Sequence, residues 1–340
     1  MSFVIIIFLY FIATLVLKRS LVFFKKGMFI DHPLERSNHN IPTPKGAGLI
    51  LIPMVIFATL LVFFLEKILF PEWLTIFGFC IILTIVSFID DLKNLNSKTR
   101  LLIHGFCVLS SLILFTEDIR NLIESSSLFM FYNDNPYFVI IASFFALMIL
   151  WIWIINLFNF MDGMDGITAV QVCFLAISIN FLSILGLIEI NFLYFGLILM
   201  AVFLSFYSLN KSPSKIFLGD VGSIPLGYLV GFVIIYNMIK SDLFIPFIIV
   251  IMYHLVDSTI TLFIRLFNRE NIFQAHSSHF YQKIIRKGFS HKYVLKRIFI
   301  LNIFLLMLSF LSVELPFICL SLSVIITTVV IIFFNSRKIK

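Results

Sequence analysis

Six aspartates of this 340-residue chain stand where apolar segments end: Asp31, Asp90, Asp91, Asp162, Asp165 and Asp220. A carboxylate at the edge of a hydrocarbon phase costs desolvation energy unless a cation meets it. Their repeated placement therefore points to one shared site for a divalent metal and phosphates. Asp90 and Asp91 are adjacent and are followed by Lys93, Lys98 and Arg100. Such a pair could accept a proton, organise a metal or ease the approach of a phosphate nucleophile, although an isolated Asp-Asp is more often a solvated helix end. Asn156, Asn159, Asp162 and Asp165 recur at a spacing of three, with Gly163 and Gly166 interleaved. That spacing gathers amides and carboxylates on one face of a helical turn, and the glycines let backbone N–H groups come close to a ligand. One Asp-Gly is an ordinary turn, but two in tandem behind two asparagines favour binding.

Phe217-Leu218-Gly219-Asp220-Val221-Gly222-Ser223 opens a further apolar run. Glycine-rich backbone at a helix N-terminus accepts anions, while an acid there also serves as an N-cap. A metal bridging Asp220 to a phosphate reconciles the two tendencies, and oxygen donors of this kind suit Mg²⁺. His276 and His279 lie three apart, with Arg286 and His291 following in the most basic connection. Without a nearby Cys or second carboxylate this reads as phosphate recognition, not zinc. Asp257 is the single acid deep in an apolar run; it could pair with His254, pair with a neighbouring helix, or mark a transport path.

The elements that must position these residues are membrane helices. The chain is 61% hydrophobic and 13% charged, with a mean hydropathy of +1.08, a surplus no water-soluble core absorbs. Eleven apolar runs, near 3–22, 47–65, 73–89, 101–115, 137–158, 167–185, 191–208, 223–239, 243–263, 297–313 and 315–334, are long enough to approach a bilayer crossing. The expected fold is an all-α polytopic membrane helix bundle of about eleven transmembrane helices, one integral membrane domain over residues 1–340, its first helix retained. Four cysteines lie within the runs without metal-ligand spacing. If alternate connections and the C-terminus face the cytoplasm, that side holds 22 of the 25 Lys and Arg, so the positive-inside rule places the N-terminus outside and the C-terminus inside. Basic residues then act as topology signals and headgroup contacts in the lipid bilayer, and no nucleic-acid partner is expected. Five inner connections, with sequences near 31–48, 90–100, 156–166, 211–223 and 276–292, carry nearly all the reactive residue types.

Laid side by side, these five connections resemble the polyprenyl-phosphate N-acetylhexosamine-1-phosphate transferases, the glycosyltransferase family 4 that includes the MraY and WecA enzymes. ERSNHNIPTPKGAG is similar to the family's first-loop pattern, FIDDLKNL to its aspartate pair, NLFNFMDGMDG to its Asn-x-x-Asn-x-x-Asp-Gly-x-Asp-Gly, and FLGDVGSIPLG to its Phe-x-Gly-Asp-x-Gly-Ser. HSSHFYQKIIRKGFSHKYV resembles the branch that initiates O-antigen or outer-core chains in lipopolysaccharide biosynthesis. The contiguous histidines of MraY are absent, which argues against a muramoyl-pentapeptide substrate; Ala47 replaces one usual Gly and His104 a common Gln. The resemblance implies transfer of N-acetylhexosamine-1-phosphate from a UDP-N-acetylhexosamine to undecaprenyl phosphate at the cytoplasmic face of a bacterial inner membrane, releasing UMP. It implies Mg²⁺, or Mn²⁺ in its place, on Asp220 and Asn159. Asp90 and Asp91 would be catalytic, with Asp90 orienting or deprotonating the lipid phosphate. Asn156, Asp162 and Asp165 would hold the nucleotide or sugar, and Gly219 would let backbone approach it. Arg36, His39, Lys98, His276, His279 and Arg286 would contact phosphates. A homodimer is compatible with this reading. A secondary transporter or lipid flippase is the alternative, but transport sites usually lie near the bilayer midplane, whereas these polar groups gather at one surface.

Overall fold

A computed structural model describes residues 2–25, 29–33, 41–68, 71–93, 95–125, 136–272, 274 and 276–337. Arg36 and His39 lie outside them. Apolar segments in lipid have no water to satisfy their backbone groups, so they fold as helices whose hydrogen bonds are internal. The order is α1 (Ser2–Phe24), β1 (Ile30–Asp31), β2 (Thr43–Pro44), α2 (Gly48–Leu65), α3 (Pro71–Lys93), α4 (Ser97–Ile113), α5 (Thr116–Ser125), α6 (Pro136–Phe160), α7 (Ile167–Ile184), α8 (Ile190–Asn210) and α9 (Asp220–Ser241). It continues with α10 (Ile245–Val250), α11 (Met252–Phe267), α12 (Phe280–Arg286), α13 (His291–Leu311) and α14 (Pro316–Ser336).

Among the described residues nine helices are long and apolar enough to cross a membrane: α1, α2, α3, α6, α7, α8, α9, α13 and α14. The other two of the eleven expected runs are present as broken helices. The run at 101–115 belongs to α4, which turns by 70° into α5; the pair would make a tenth span. Thr116, Glu117 and Asp118 open α5 with polar groups that pull it toward water. The run at 243–263 is divided at Ile251 (φ −91°, ψ 10°) into α10 and α11, and α11 carries Asp257 and Arg265.

Helix α9 is the axis, 94% of its span buried inside the protein, and it packs against α2, α3 and α6. Small residues permit that approach. A Cβ on Gly48 would stand 2.2 Å from the Cα of Gly222, and one on Gly227 would stand 2.8 Å from the Cα of Ile155, so backbones meet directly at both crossings. The indole N–H of Trp151 donates to the Tyr228 carbonyl at 2.9 Å, and the Tyr228 hydroxyl meets Ser111 Oγ at 2.5 Å. Toward the other end Trp73 is enclosed by the rings of Phe63, Phe77, Phe192, Phe195 and Phe232.

β1 and β2 form a two-stranded antiparallel ladder, Ile30 opposite Pro44 and Asp31 opposite Thr43. The second strand is laced to the segment before α9. Phe217 N donates to Pro44 O at 2.8 Å, and the N–H groups of Gly46, Ala47 and Gly48 donate to the carbonyls of Phe217 and Leu218, each at 3.1 Å. The connection before α2 and the one before α9 are thus a single backbone assembly.

Candidate active site

Two adjoining cavities, about 200 and 680 Å³, open at one end of the bundle. Lys45, Asp91, Asn159, Asp162, Gly163 and Asp220 line both, forming a common rim. The smaller chamber continues past Asp165, Phe217, Gly219 and His291. The larger passes His276, His279, Tyr281 and Gln282 on one side and Leu101, Trp153, Ile224 and Leu262 on the other.

The aspartate pair ends α3, and its two members have different surroundings. Asp90, 7% exposed, accepts from Leu95 N at 2.6 Å and from Arg100 Nη1 at 3.0 Å. It closes the turn into α4 and has both oxygens engaged. Asp91 accepts from Lys45 Nζ at 2.9 Å and faces both chambers. The same Arg100 nitrogen lies 3.9 Å from Asp220 Oδ2. Burial works against the Lys45 charge, yet Asp91, with Asp31 and Asp220 behind it, raises the ammonium above its ordinary value. Lys45 is therefore a fixed cation at the rim, and Arg100 stands as a second cation in the larger chamber.

The connection between α6 and α7 delivers Asn156, Asn159, Asp162 and Asp165. Asn156 lines the larger chamber and donates to Ile152 O at 2.8 Å. Asp162 accepts from Thr168 Oγ1 at 2.5 Å and from the Gly219 N–H. Burial first, and then the Asp220 charge, raise its carboxyl to about 7 against those two bonds. Asp165 Oδ2 lies 3.2 Å from His291 Nδ1. Burial alone would raise this carboxyl, but His291, Ser214 and Ser212 together hold it below the ordinary range. Gly166 turns the chain at φ +79°, where a Cβ would stand 2.9 Å from Leu295, and its N–H donates to Asn210 Oδ1 at 2.8 Å. That conformation suits glycine and sets the start of α7.

Asp220 is the first residue of α9. Asn159 hydrogen bonds to Asp220 and donates through Nδ2 to Ser223 Oγ at 3.1 Å. Among the described residues no three His, Cys, Asp or Glu side chains gather as a metal cage. A carboxylate and an amide on the cavity rim instead match the donor set of Mg²⁺, which takes one or two protein oxygens and completes its shell with water and phosphate. The Asp220 side chain is 39% exposed, so such an ion could reach it.

His276 and His279 both line the larger chamber. His276 Nδ1 meets Ser278 Oγ at 2.8 Å. Burial, followed by neighbouring His279 and Arg265, lowers this imidazole to about 4, leaving a neutral ring at pH 7. His279 Nδ1 lies 3.1 Å from Asp257 Oδ1, so the intramembrane acid pairs with the connection after α11 and not with His254. Lys98 and Arg286 are exposed and line neither chamber; Arg286 bonds the Ser277 hydroxyl.

The structure thus joins Asp90, Asp91, Asn156, Asn159, Asp162, Asp165, Gly219, Asp220, His276 and His279 around one double cavity. It adds Lys45 and Arg100, whose positions in basic connections matched plain topology signals, and it sets His291, read from sequence with the phosphate-recognising histidines, against Asp165. The lysine between Thr-Pro and Gly-Ala-Gly, within the quoted first-loop pattern, was the available cue for Lys45.

The sequence profile of glycosyl transferase family 4 matches residues 73–238. A Bacillus subtilis protein named probable undecaprenyl-phosphate N-acetylglucosaminyl 1-phosphate transferase is 26% identical over 281 residues, 77% of this chain and 71% of that protein. The phospho-N-acetylmuramoyl-pentapeptide-transferase of Wolbachia pipientis wMel is 28% identical over 211 residues, 56% of this chain and 59% of its own length. The enzyme of the same name from Lactococcus lactis subsp. cremoris MG1363 is 35% identical over 92 residues, 26% of this chain and 27% of its own.

Proposed function

We propose that this chain, similar to glycosyl transferase family 4, is a polyprenyl-phosphate hexosamine-1-phosphate transferase that moves N-acetylhexosamine-1-phosphate from a UDP-sugar to undecaprenyl phosphate at the cytoplasmic face of a bacterial inner membrane. The product starts a lipid-linked envelope glycan such as an O-antigen or outer-core chain. The observation that carries this reading is the rim where two chambers meet, because carboxylates and cations from separate connections converge there.

In the reaction an oxygen of the lipid phosphate attacks the phosphorus that bears the sugar. The bond from that phosphorus to the bridging oxygen breaks, and UMP departs with the electron pair. Transfer between phosphates leaves the protein mainly positioning and charge stabilisation. Lys45 and Arg100 present cationic donors to the phosphate oxygens. Asp91, open to both chambers where Asp90 is locked, orients the nucleophile and takes any proton it carries. Bound Mg²⁺, held by Asp220 with Asn159, would neutralise the diphosphate and the departing UMP as a Lewis acid. Asp165 and Phe217 suit the nucleotide end in the smaller chamber. Leu101, Trp153, Ile224 and Leu262 give the larger one an apolar wall for the isoprenoid.

The test is UMP release by purified protein with undecaprenyl phosphate and a panel of UDP-N-acetylhexosamines, with and without EDTA. Release from one donor that chelation abolishes supports the reading and identifies the sugar. Silence across the panel from folded protein overturns it.

A further inference from the structure

The transfer chemistry leaves one buried acid unused. Asp257 is fully buried and lines neither chamber, yet five donors converge on it. Oδ1 receives His279 Nδ1 at 3.1 Å, Phe280 N at 3.1 Å and Thr261 Oγ1 at 3.3 Å. Oδ2 receives Tyr253 OH at 3.1 Å and Tyr281 N at 3.3 Å. A carboxylate has about four lone-pair sites, so this one is saturated and holds no position for a transported cation.

Two of the donors are N–H groups in the first turn of α12, which would otherwise lack acceptors; an acid on α11 caps a helix that follows it in the chain. The residue just before that turn is His279, and the same carboxylate fixes its ring. The backbone N–H of His279 donates to Gln282 Oε1 at 3.3 Å. Its ring lies against Phe160 and Tyr281, with centroids 5.9 Å away in each case. Tyr281 in turn donates to Phe160 O at 3.0 Å, tying α12 to the end of α6. With Nδ1 taken by Asp257, Nε2 is the ring nitrogen left for the chamber that His279 lines.

We propose that Asp257 is a positioning residue of the transferase: it holds the His279 ring so that Nε2 alone faces the larger chamber, where it hydrogen bonds a phosphate oxygen of the bound substrates. This rests on the transferase reading for the substrate, though not for the ring's orientation. A bond between Nε2 and a phosphate oxygen shares one proton, whichever partner brought it. Partners that orient a histidine from behind in this way fix its tautomer and alignment.

The experiment is a double-mutant cycle with a spectroscopic arm. Asp257→Asn keeps one oxygen to accept from Phe280 N but cannot serve every donor. It is expected to lower kcat/KM about 10- to 100-fold, and His279→Gln to do the same. If Asp257 acts through His279, the double variant is within about twofold of His279→Gln alone. Losses that multiply instead would make Asp257 a structural cap and overturn the proposal. Should Asp257→Asn unfold, ¹⁵N NMR of ring-labelled histidines in the wild type decides, with His279 assigned by its loss in His279→Gln. A protonated Nδ1 supports the orientation, and an unprotonated Nδ1 overturns it. Wild type that gives this signal but releases no UMP from any donor would fail the transferase reading while leaving the Asp257–His279 geometry standing.

Discussion

Lys45 keeps its proton because the carboxylates around it outweigh its burial, so its charge faces the rim throughout the working pH range. Lys45→Met is therefore expected to lower kcat about 100-fold, the usual effect of removing one preorganised electrostatic donor, while Lys45→Arg retains part of the rate; steady-state UMP release measures both. Asp220→Asn should raise the Mg²⁺ concentration for half-maximal rate, and an unchanged Mg²⁺ titration would remove Asp220 from the metal role. Asp165 gives a pH signature of different origin. Its carboxyl lies below the ordinary value in the folded protein, so its contribution to stability is complete above about pH 4 and drains away as the pH falls through its lowered value. Thermal unfolding should show wild type above Asp165→Asn at pH 7, with the gap closing under acid. Spacing alone made the aspartates legible, because Asp162 and Asp165 repeat with their glycines. Lys45 was not legible in the same way: its partner Asp91 is 46 residues away, and only the folded backbone assembly at Phe217 brings the two together.

Helices were legible as apolar runs, but their continuity was not. Hydropathy reads 243–263 as one stretch, whereas the chain breaks at Ile251 and lets α11 run on to Arg265, whose guanidinium donates to Glu270 at 2.9 Å and to Asn271 O at 2.7 Å. Those bonds are tertiary decisions that no hydropathy window records. The crossing of α2 and α9 was equally hidden, since Gly48 read as part of the first-loop pattern and Gly222 as part of a glycine-rich, anion-accepting helix start. A Cβ on Gly222 would stand 2.5 Å from Leu218 Cδ1 and 2.8 Å from the Gly48 Cα. Gly222→Ala is accordingly expected to cost about 1–3 kcal/mol through overpacking and to weaken activity with it, since Asp220 lies two residues away. Melting in detergent alongside UMP release tests the coupling; an alanine variant as stable as wild type would refute the close crossing.

Charge distribution along the chain predicts which way the whole molecule faces. Helix α13, about 31 Å long, lies between Lys292 and Glu314, and both residues are exposed. The native cysteines are buried or half-buried, which keeps background labelling low. In intact spheroplasts a membrane-impermeant maleimide should label Glu314→Cys, and it should reach Lys292→Cys only after lysis; the opposite pattern would invert the orientation. A last consequence concerns how such a molecule is made. Of the nine helices among the described residues that are long and apolar enough to span, α9 has the lowest mean hydropathy, 1.6 against 2.0 to 2.8 for the others, and is also the most enclosed at 94%. Its Gly222, Gly227, Gly231, Pro225 and Asn237 are buried inside the protein and not exposed to lipid. The segment bearing Asp220 is thus the one a bare bilayer accepts least readily, and biogenesis has to deliver it into the company of α2, α3 and α6, all of which leave the ribosome before it.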